Sequence, residues 1–391
     1  MRQRSYLIYL FIAFLWGCSP QQKDQVPKSF RNLKNLTVFS LSTKPDKTIS
    51  LKKEVIYDNS QKVLIGKLGD MAVGSLGRVF IADVQKQIID VFESDGRFLV
   101  QLGGKGDGPS EFSYIKRLKI RNNHLYAFDA NFGTRKVNTF TLDTLAGGKT
   151  ILLIKNRSKY RSLAKAYPGI YKAYVRNNGT YLAEFISRNP RQKVKKWQNV
   201  EMNGLFYLLD DNGMITSKLF EFKSETRTQL KAFLYHVKPF FGNALTVLSK
   251  DNRIYWAGPN YFLIKVYSPD GAYQRAFYYP HKKISITRES AIEAEVSDSF
   301  IRDMNSMNLP VNWPVLRQMK FDDQDRLWVA TTVKDMKVFE WWVLKPDGQL
   351  IARFNWPRSK PIQVIKNGYI YTKEKNNDGL EEIVRYRIEM K

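Results

Sequence analysis

This chain of 391 residues contains only 1 cysteine and 3 histidines, so few residues are available for metal or thiol chemistry. The histidines, His124, His236 and His281, are far apart in the sequence. A zinc or transition-metal site needs clustered imidazole or thiolate ligands. The single cysteine, Cys18, has no partner for an intrachain disulfide. We therefore expect no metal site and no cofactor.

Familiar catalytic motifs are missing as well. The chain has no Gly-x-Ser-x-Gly sequence, the turn that presents a nucleophilic serine in many hydrolases. The glycine-rich run at 103–108 precedes no helical pattern, so it does not indicate a phosphate-binding loop. We predict no catalytic residues, and the sequence favours a binding protein over an enzyme.

The apolar run near the N-terminus, Tyr6–Trp16, is too short to span a bilayer comfortably. Two arginines precede it and Cys18 follows it, an arrangement typical of a secretory signal. Residues 15–18 resemble the lipobox of bacterial lipoproteins, although Trp16 is larger than the usual residue there. We predict a signal peptide over 1–17 and a lipidated, palmitate-bearing Cys18 that holds the protein to a membrane.

The segment after Cys18 is polar and lacks a strand pattern, so residues 18–47 are predicted to form the lipid anchor and a flexible tether. Ser19, rather than aspartate, follows the cysteine. By analogy with lipoprotein sorting, this favours the outer membrane, on its periplasmic side or at the cell surface. An ordinary secretory signal with an incidental cysteine is the alternative.

A strand–turn–strand unit recurs six times from Leu68 onwards, most clearly in Val79–Asp83 and Ile88–Glu93. The runs between its turns are rich in β-branched and aromatic residues, as strands are. Asn-Gly and Asp-Gly pairs are strong hairpin signals because they tolerate positive φ. The turns after first strands are at 74–77, 122–123, 177–179, 251–252, 322–325 and 367–368, and those after third strands are at 95–96, 143–147, 211–213, 269–271 and 346–348.

The sixth unit ends after its third strand, so one strand is missing there. The segment 49–57 precedes the first unit and has a strand pattern. Placing it beside the strand near 380–388 closes a ring and removes an open sheet edge. We predict an all-β fold, a six-bladed β-propeller over 48–391 whose last blade is closed by an N-terminal strand. A long antiparallel sandwich is the alternative.

The first unit also carries a resemblance to a known repeat. Asp83 after an apolar strand, Ile88 and Phe92 on the next strand, and then Asp95–Gly96 are similar to an NHL-type propeller repeat. The segment 102–112 resembles the linker between blades in that family. More narrowly, the chain resembles the six-bladed propeller lipoproteins common in Bacteroidota, which implies a propeller on a membrane anchor and no defined activity.

One insertion before the fifth unit has a helical period, with apolar side chains at Ile292, Val296 and Phe300. Thr287 can cap a helix that starts there. We predict one inserted helix near 287–307 that packs on the rim of the propeller as a lid. A helix that binds a partner is the alternative.

The chain has a large excess of positive charge, with a formal net charge of +26. Between Lys155 and Lys196 twelve basic residues stand against Glu184 alone. Most of them fall in two loops of the third unit that emerge on the same face of a propeller, where one sign of charge concentrates anions. The candidate ligand-binding residues of this basic face are Arg157, Lys159, Arg161, Arg188, Arg191, Lys193, Lys195, Lys196 and Trp197.

Several functions are compatible with this face. We predict a membrane-anchored, non-catalytic binding or scaffold module that engages a protein or an acidic glycan there. The simplest alternative is a solvated surface that binds no ligand, and nucleic acid is not expected as a partner outside the cytoplasm. The alternative is a calcium-dependent lactonase-type hydrolase with its site in the central channel. That enzyme needs acidic and amide side chains at the inner strands, and Asp83, Asp129 and Glu184 occupy equivalent ends of second strands.

Overall fold

The computed structural model describes residues 26–57, 65–130, 136–153, 170–188, 198–231, 234–236, 240–302, 304–306 and 308–391. For Arg188, residues 228–231, residues 234–236 and Ser306 it describes the backbone alone.

Strands dominate the described part of the chain. Before the first repeat lie β1 (Leu36–Val38) and β2 (Ile49–Tyr57). Repeats one and two contain β3 (Leu68–Val73), β4 (Val79–Asp83), β5 (Ile88–Phe92), β6 (Phe98–Leu102), β7 (Ile115–Arg121), β8 (His124–Asp129), β9 (Lys136–Thr141) and β10 (Gly147–Leu152). Repeats three and four contain β11 (Lys172–Val175), β12 (Tyr181–Arg188), β13 (Asn199–Leu209), β14 (Ile215–Lys231), β15 (Leu234–His236), β16 (Leu245–Leu248), β17 (Ile254–Ala257), β18 (Phe262–Tyr267) and β19 (Tyr273–Tyr279).

Two helices, α1 (Arg288–Glu293) and α2 (Asp298–Arg302), precede the fifth repeat, and a 3-10 turn follows at Met304–Ser306. The last two repeats contain β20 (Leu316–Phe321), β21 (Leu327–Thr332), β22 (Val338–Leu344), β23 (Leu350–Pro357), β24 (Ile362–Lys366), β25 (Tyr369–Lys375) and β26 (Glu381–Met390). None of the helices in the described residues is long and apolar enough to cross a bilayer.

Each repeat forms one sheet, and the described residues form six sheets in which the strands of a repeat pair in chain order. Because side chains alternate across a strand, each sheet buries both faces against its two neighbours. An apolar cluster fills each junction between consecutive blades, and the last cluster joins Met71 and Ile81 of blade 1 to Tyr371 and Ile383 of blade 6. The ring is therefore closed, and the protein is a six-bladed β-propeller, as the sequence predicts.

The closing strand is the one that the sequence indicates. Strand β2 pairs antiparallel with β26, from Ile49 opposite Met390 to Tyr57 opposite Ile383. The fully buried Tyr57 donates its hydroxyl hydrogen bond to the carbonyl of Ser94 in blade 1 (3.0 Å). The N-terminal strand thus completes blade 6 and also ties it to blade 1.

Part of the predicted tether lies on the propeller. Within residues 18–47, β1 pairs in parallel with the outer strand β19 of blade 4, with Leu36 opposite Ala276. The buried Val26 and the partly buried Phe30 pack on the same blade, where Tyr261 meets Phe30 edge-on at 4.9 Å between ring centroids. Residues 26–38 therefore cover the outer edge of blade 4, which would otherwise be an open strand edge.

The insertion before blade 5 is two short helices rather than the single helix that the sequence predicts. Thr287 caps α1 in a capping box with Ser290. The helix ends at Glu293 with Ala294 as its C-cap, and the next residue, Glu295, adopts a left-handed φ of 54°. The two helices pack through Ala291 and Ile301 on the apolar cluster at the rim, which is the arrangement of a lid.

Candidate functional site

The first strands of the blades carry an unusual density of cations. Strand β7 reads Ile-Lys-Arg-Leu-Lys-Ile-Arg, in which Leu118 and Ile120 pack in the cluster between blades and Arg117, Lys119 and Arg121 alternate with them. Strand β20 contributes Lys320, and β24 contributes Lys366. We call the following six side chains the channel cluster: Lys116, Arg117, Lys119, Arg121, Lys320 and Lys366.

Long-range interactions between charges indicate that Arg117, Lys119 and Lys320 face the centre of the ring. Lys119 of blade 2 and Lys320 of blade 5 act on each other's charge, and so do Arg117 and Lys320. Blades 2 and 5 are opposite each other in a ring of six, so these interactions cross the central channel. Asp70 of blade 1 faces the same space, where it accepts a hydrogen bond from the backbone N–H of Leu118 (2.9 Å) and lies near Arg117.

The positive charges of the channel are only partly compensated. In blade 3, Lys172 pairs with Glu184 (3.7 Å), and Arg227 pairs with Glu225. By contrast, no ion pair within the described residues joins Lys116, Lys119 or Lys320 to a carboxylate. Asp70 acts on Lys119 and Lys320 from a distance, so within the part of the chain that the structure describes these three ammonium groups have no direct ion pair.

The pKa values of the channel lysines reflect this environment. The pKa of Lys119 is lowered to about 8, although the side chain keeps exposed surface in the channel. Desolvation is the largest cause, the nearby Arg121 and Lys320 contribute to the same decrease, and Asp70 opposes it. Burial is also the main cause that lowers the pKa values of Lys116, Lys320 and Lys366. A bound anion would favour the charged form of each group.

Arg121 and Lys366 mark one end of the channel. Burial lowers the pKa of Lys366, and the neighbouring Arg121 acts in the same direction, while Asp323 opposes them. The Nε atom of Arg121 is buried without a hydrogen-bond partner among the described residues. A donor of this kind is costly unless a ligand or water accepts from it.

The turns after the first strands form a hydrogen-bonded belt around this end. Asn367 donates from its backbone to Asp323 (2.9 Å) and from its amide to the carbonyl of Ser75 (3.0 Å). Further links run from Asn122 to the carbonyl of Asn177, from the backbone of Asn177 to Asn252 (2.9 Å) and from the backbone of Lys250 to Asp325 (3.0 Å). The belt joins each blade from 2 to 6 to the next, and blade 6 to blade 1, so it fixes the width of this end of the channel.

The carboxylates considered for a calcium-dependent site have other partners. Asp83 accepts from the backbone N–H groups of Gly66 (2.7 Å) and Gln85 (2.9 Å), and Asp129 accepts from that of Tyr114 (2.7 Å). Glu184 accepts from the hydroxyl of Ser224 (2.7 Å) and pairs with Lys172. Asp83 and Asp129 therefore hold loops between blades, as expected of aspartates in repeat turns.

Metal-ligand clusters are likewise missing from the part of the chain that the structure describes. In these ranges no three His, Cys, Asp or Glu side chains lie close enough to share a metal ion. The ring of His281 is hydrogen-bonded to the carbonyl of Lys282 (2.9 Å), and that of His124 to the carbonyl of Asn122 (2.8 Å).

The basic face predicted from the sequence cannot be compared with these positions. Cys18, Arg157, Lys159, Arg161, Arg191, Lys193, Lys195, Lys196 and Trp197 lie outside the described residues, and for Arg188 only the backbone is described, opposite Met202 at the end of β12. The channel cluster is a second basic region, which sequence reasoning missed. Its signal was the crowding of four cations in one predicted first strand, β7.

Comparisons with known proteins agree with the fold. The family model DUF5128, described as a 6-bladed beta-propeller, matches residues 58–153. A search of curated proteins gives no significant match. A putative exported protein from Bacteroides fragilis is 13% identical over 90% of this chain and 99% of its own, with a TM-score of 0.52. A member of the duf4221 family from Bacteroides vulgatus is 10% identical over 89% of this chain and 99% of its own, with a TM-score of 0.53. At these identities the likeness concerns the fold alone.

Proposed function

We propose that this chain is an extracytoplasmic, non-catalytic binding module that holds an anionic ligand in its central channel. The observation that carries the proposal is the channel cluster, in which cations from opposite blades face one another without direct counter-ions among the described residues. Like charges enclosed by protein destabilise each other more than they do in water. A ligand that carries carboxylate, sulfate or phosphate groups relieves this repulsion.

The walls of the channel strengthen the effect. A cleft lined by one sign of charge focuses its field and raises the local concentration of oppositely charged ligands. Rigid inner strands and the belt of turns fix the backbone from which the cations project, so little backbone entropy is lost on binding. These properties suit capture of an acidic glycan fragment or another small polyanion.

The lactonase-type alternative is disfavoured by the same charges. Calcium needs six to eight oxygen ligands, several of them carboxylates. In the described part of the channel Asp70 faces the three cations Arg117, Lys119 and Lys320, and these cations repel a divalent cation. Asp83, Asp129 and Glu184 are engaged in loops and ion pairs.

The envelope location and the loop residues of blade 3 belong to the same proposal. We take Cys18 to anchor the propeller to the outer membrane, with an NHL-like ring held outside the cytoplasm. The basic face at 157–161 and 188–197 provides a second, peripheral contact for an acidic glycan or an acidic protein. Its charge adds to the attraction that draws anions towards the channel.

Isothermal titration calorimetry tests the channel directly. The probes are inorganic phosphate and trigalacturonate, titrated into the parent and into the double variant Lys119→Gln, Lys320→Gln. We expect the parent to bind at least one probe, the double variant to bind it at least tenfold more weakly, and salt to weaken binding. The variant Lys52→Gln, which removes an exposed lysine from the outer strand β2, is the matched control and should bind like the parent.

Two further results separate the alternatives. Binding of trigalacturonate should strengthen as the pH falls through about 8, because Lys119 then gains its proton while the carboxylates of the probe stay ionised. A quintuple change of Arg188, Arg191, Lys193, Lys195 and Lys196 to Gln should leave channel binding within a few-fold of the parent. If the parent binds neither probe, or if the double variant binds as well as the parent, the channel is not the ligand site.

A further inference from the structure

A second cavity, of about 480 Å³, lies between the inserted helices and blade 5. Its volume falls in the range of pockets that hold small molecules. Its lining includes the aromatic residues Phe241, Phe300 and Trp313 and also the two arginines Arg317 and Arg358. Pockets of this composition combine burial of an apolar body with a few fixed polar contacts.

The two arginines are held close together by one aromatic ring. The guanidinium of Arg358 lies 4.3 Å from the centroid of the Phe339 ring, and that of Arg317 lies 5.9 Å from it. Arg358 also donates from Nε to the carbonyl of Val338 (3.1 Å), which fixes its orientation. The Phe339 ring and this hydrogen bond hold Arg358 in place, and its Nη2 also contacts the Sδ atom of Met336 (3.5 Å). Guanidinium groups match carboxylate and phosphate groups.

The charges of this pair are incompletely compensated. Among the described residues Arg317 makes no hydrogen bond or ion pair. The pKa of Arg358 is lowered to about 10, mainly by burial and in part by the adjacent positive charge of Arg317, while Asp335 and Glu293 oppose this decrease. Two enclosed like charges are costly, and an anion between them offsets that cost.

A third group points to a ligand in the same cavity. The side chain of Asn243 lines it, and its Oδ1 atom is buried without a hydrogen-bond partner among the described residues. The amide can present either its oxygen or its nitrogen to a ligand. The exposed carboxylate of Glu295 also lines the cavity, so an anionic group is favoured beside Arg317 and disfavoured beside Glu295.

We infer that this cavity binds a small amphiphilic anion, whose carboxylate or phosphate group contacts Arg317 and Arg358 and whose apolar body packs on Phe241, Phe300 and Trp313. This site is separate from the channel of the proposed function. The inserted helices form one of its walls, which gives the lid a role in ligand binding.

Calorimetry with matched probes tests this inference. The anionic probes are 4-phenylbutyrate and phenyl phosphate, and the neutral probe is 4-phenylbutan-1-ol. The parent should bind at least one anionic probe and bind the alcohol at least tenfold more weakly. Arg317→Gln and Arg358→Gln should each reduce anion binding at least fivefold. The control Arg353→Gln should leave it unchanged, because Arg353 is an arginine of the same blade that stacks on Trp342 at 4.8 Å and does not line the cavity.

The proposals for the channel and for the cavity can be refuted independently of each other. The double variant Lys119→Gln, Lys320→Gln should bind 4-phenylbutyrate like the parent. If this variant no longer bound the probe, the probe would bind in the channel and the inference would be overturned. The inference would also be overturned if the parent bound neither anionic probe, or if both arginine variants bound the anion as tightly as the parent.

A measurement on the unmodified sequence covers the case in which an arginine variant does not fold. Phenylglyoxal modifies accessible arginines, and mass spectrometry reads the rate at each site. Saturating 4-phenylbutyrate should slow modification of Arg317 and Arg358 and leave that of Arg353 unchanged. Equal rates with and without the probe would contradict the inference.

Discussion

Replacing Lys119 by glutamine should stabilise the free protein at neutral pH, although the change removes a side chain from its centre. The folded protein holds the pKa of Lys119 at about 8, below the ordinary 10.5. Fully converted at 1.36 kcal/mol per pH unit, this difference is roughly 3 kcal/mol of destabilisation. Because channel water reaches the side chain, screening reduces the effect, and we expect Lys119→Gln to gain about 1 kcal/mol.

The sign of the pH dependence follows from the lowered pKa. Between about 8 and 10.5 the unfolded chain keeps the proton on Lys119 while the folded protein has lost it. Stability of the parent therefore rises with pH in this window relative to the variant. The advantage of Lys119→Gln should be full below pH 8 and should shrink towards zero as the pH approaches 10.5.

Denaturant unfolding at pH 6, 7, 9 and 10, in low salt and without anions, measures this difference. Lys52→Gln is the control, since Lys52 is exposed on β2, and it should show no such trend. A Lys119→Gln variant that is less stable than the parent at pH 7, or whose difference does not change with pH, would refute the argument that the channel cations destabilise one another.

Three further predictions follow from the fold and the anchor. Deletion of residues 45–58 should lower stability by several kcal/mol, because it removes the closing strand and the buried Tyr57, which alone contributes about 2 kcal/mol; a melting temperature within about two degrees of the parent would contradict the closure. Cys18→Ala should release the protein from the membrane fraction and block signal removal, which fractionation and gel mobility report. Gly348→Ala should lower the free energy of unfolding by about 2 kcal/mol more than Gly368→Ala. Both glycines have positive φ, but a Cβ at Gly348 would lie 2.5 Å from Phe277, whereas nothing lies within 4 Å of a Cβ at Gly368. Equal unfolding free energies of the two variants would contradict this prediction.

Much of the fold was predictable because its turns have strict local requirements. Gly96, Gly271 and Gly348 all have positive φ in the turns after third strands, and Asn252 and Asn367 have it in the turns after first strands. These residue types are the ones that tolerate such a conformation. The count of turns then revealed the missing strand, and the prediction that β2 pairs with β26 follows from this count alone.

Other features depend on contacts that no local pattern encodes. The helical period predicts one helix through Val296, yet Glu295 has a left-handed conformation and Val296 lies between two short helices. Residues such as Phe30 and Leu36 read as part of a tether because three-residue strands carry too short a pattern. Their place on blade 4 is decided by apolar side chains that are distant in sequence.

The candidate site illustrates the same limit. Counting charges directed attention to the loops of blade 3, where basic residues are consecutive in the sequence. Lys119 and Lys320 are two hundred positions apart, and only closure of the ring brings them to opposite sides of one channel. A propeller prediction combined with the cations of each first strand would have found them.

The central claim, that the channel holds an anion, is tested most directly by diffraction from crystals grown in selenate. Selenium gives an anomalous signal that locates each bound oxyanion without reference to the protein density. The account predicts a selenate site within contact distance of Lys119 and Lys320, and the same site should be lost in the Lys119→Gln, Lys320→Gln variant. Selenate bound on the outer surface alone, with a channel free of anomalous signal, would contradict it.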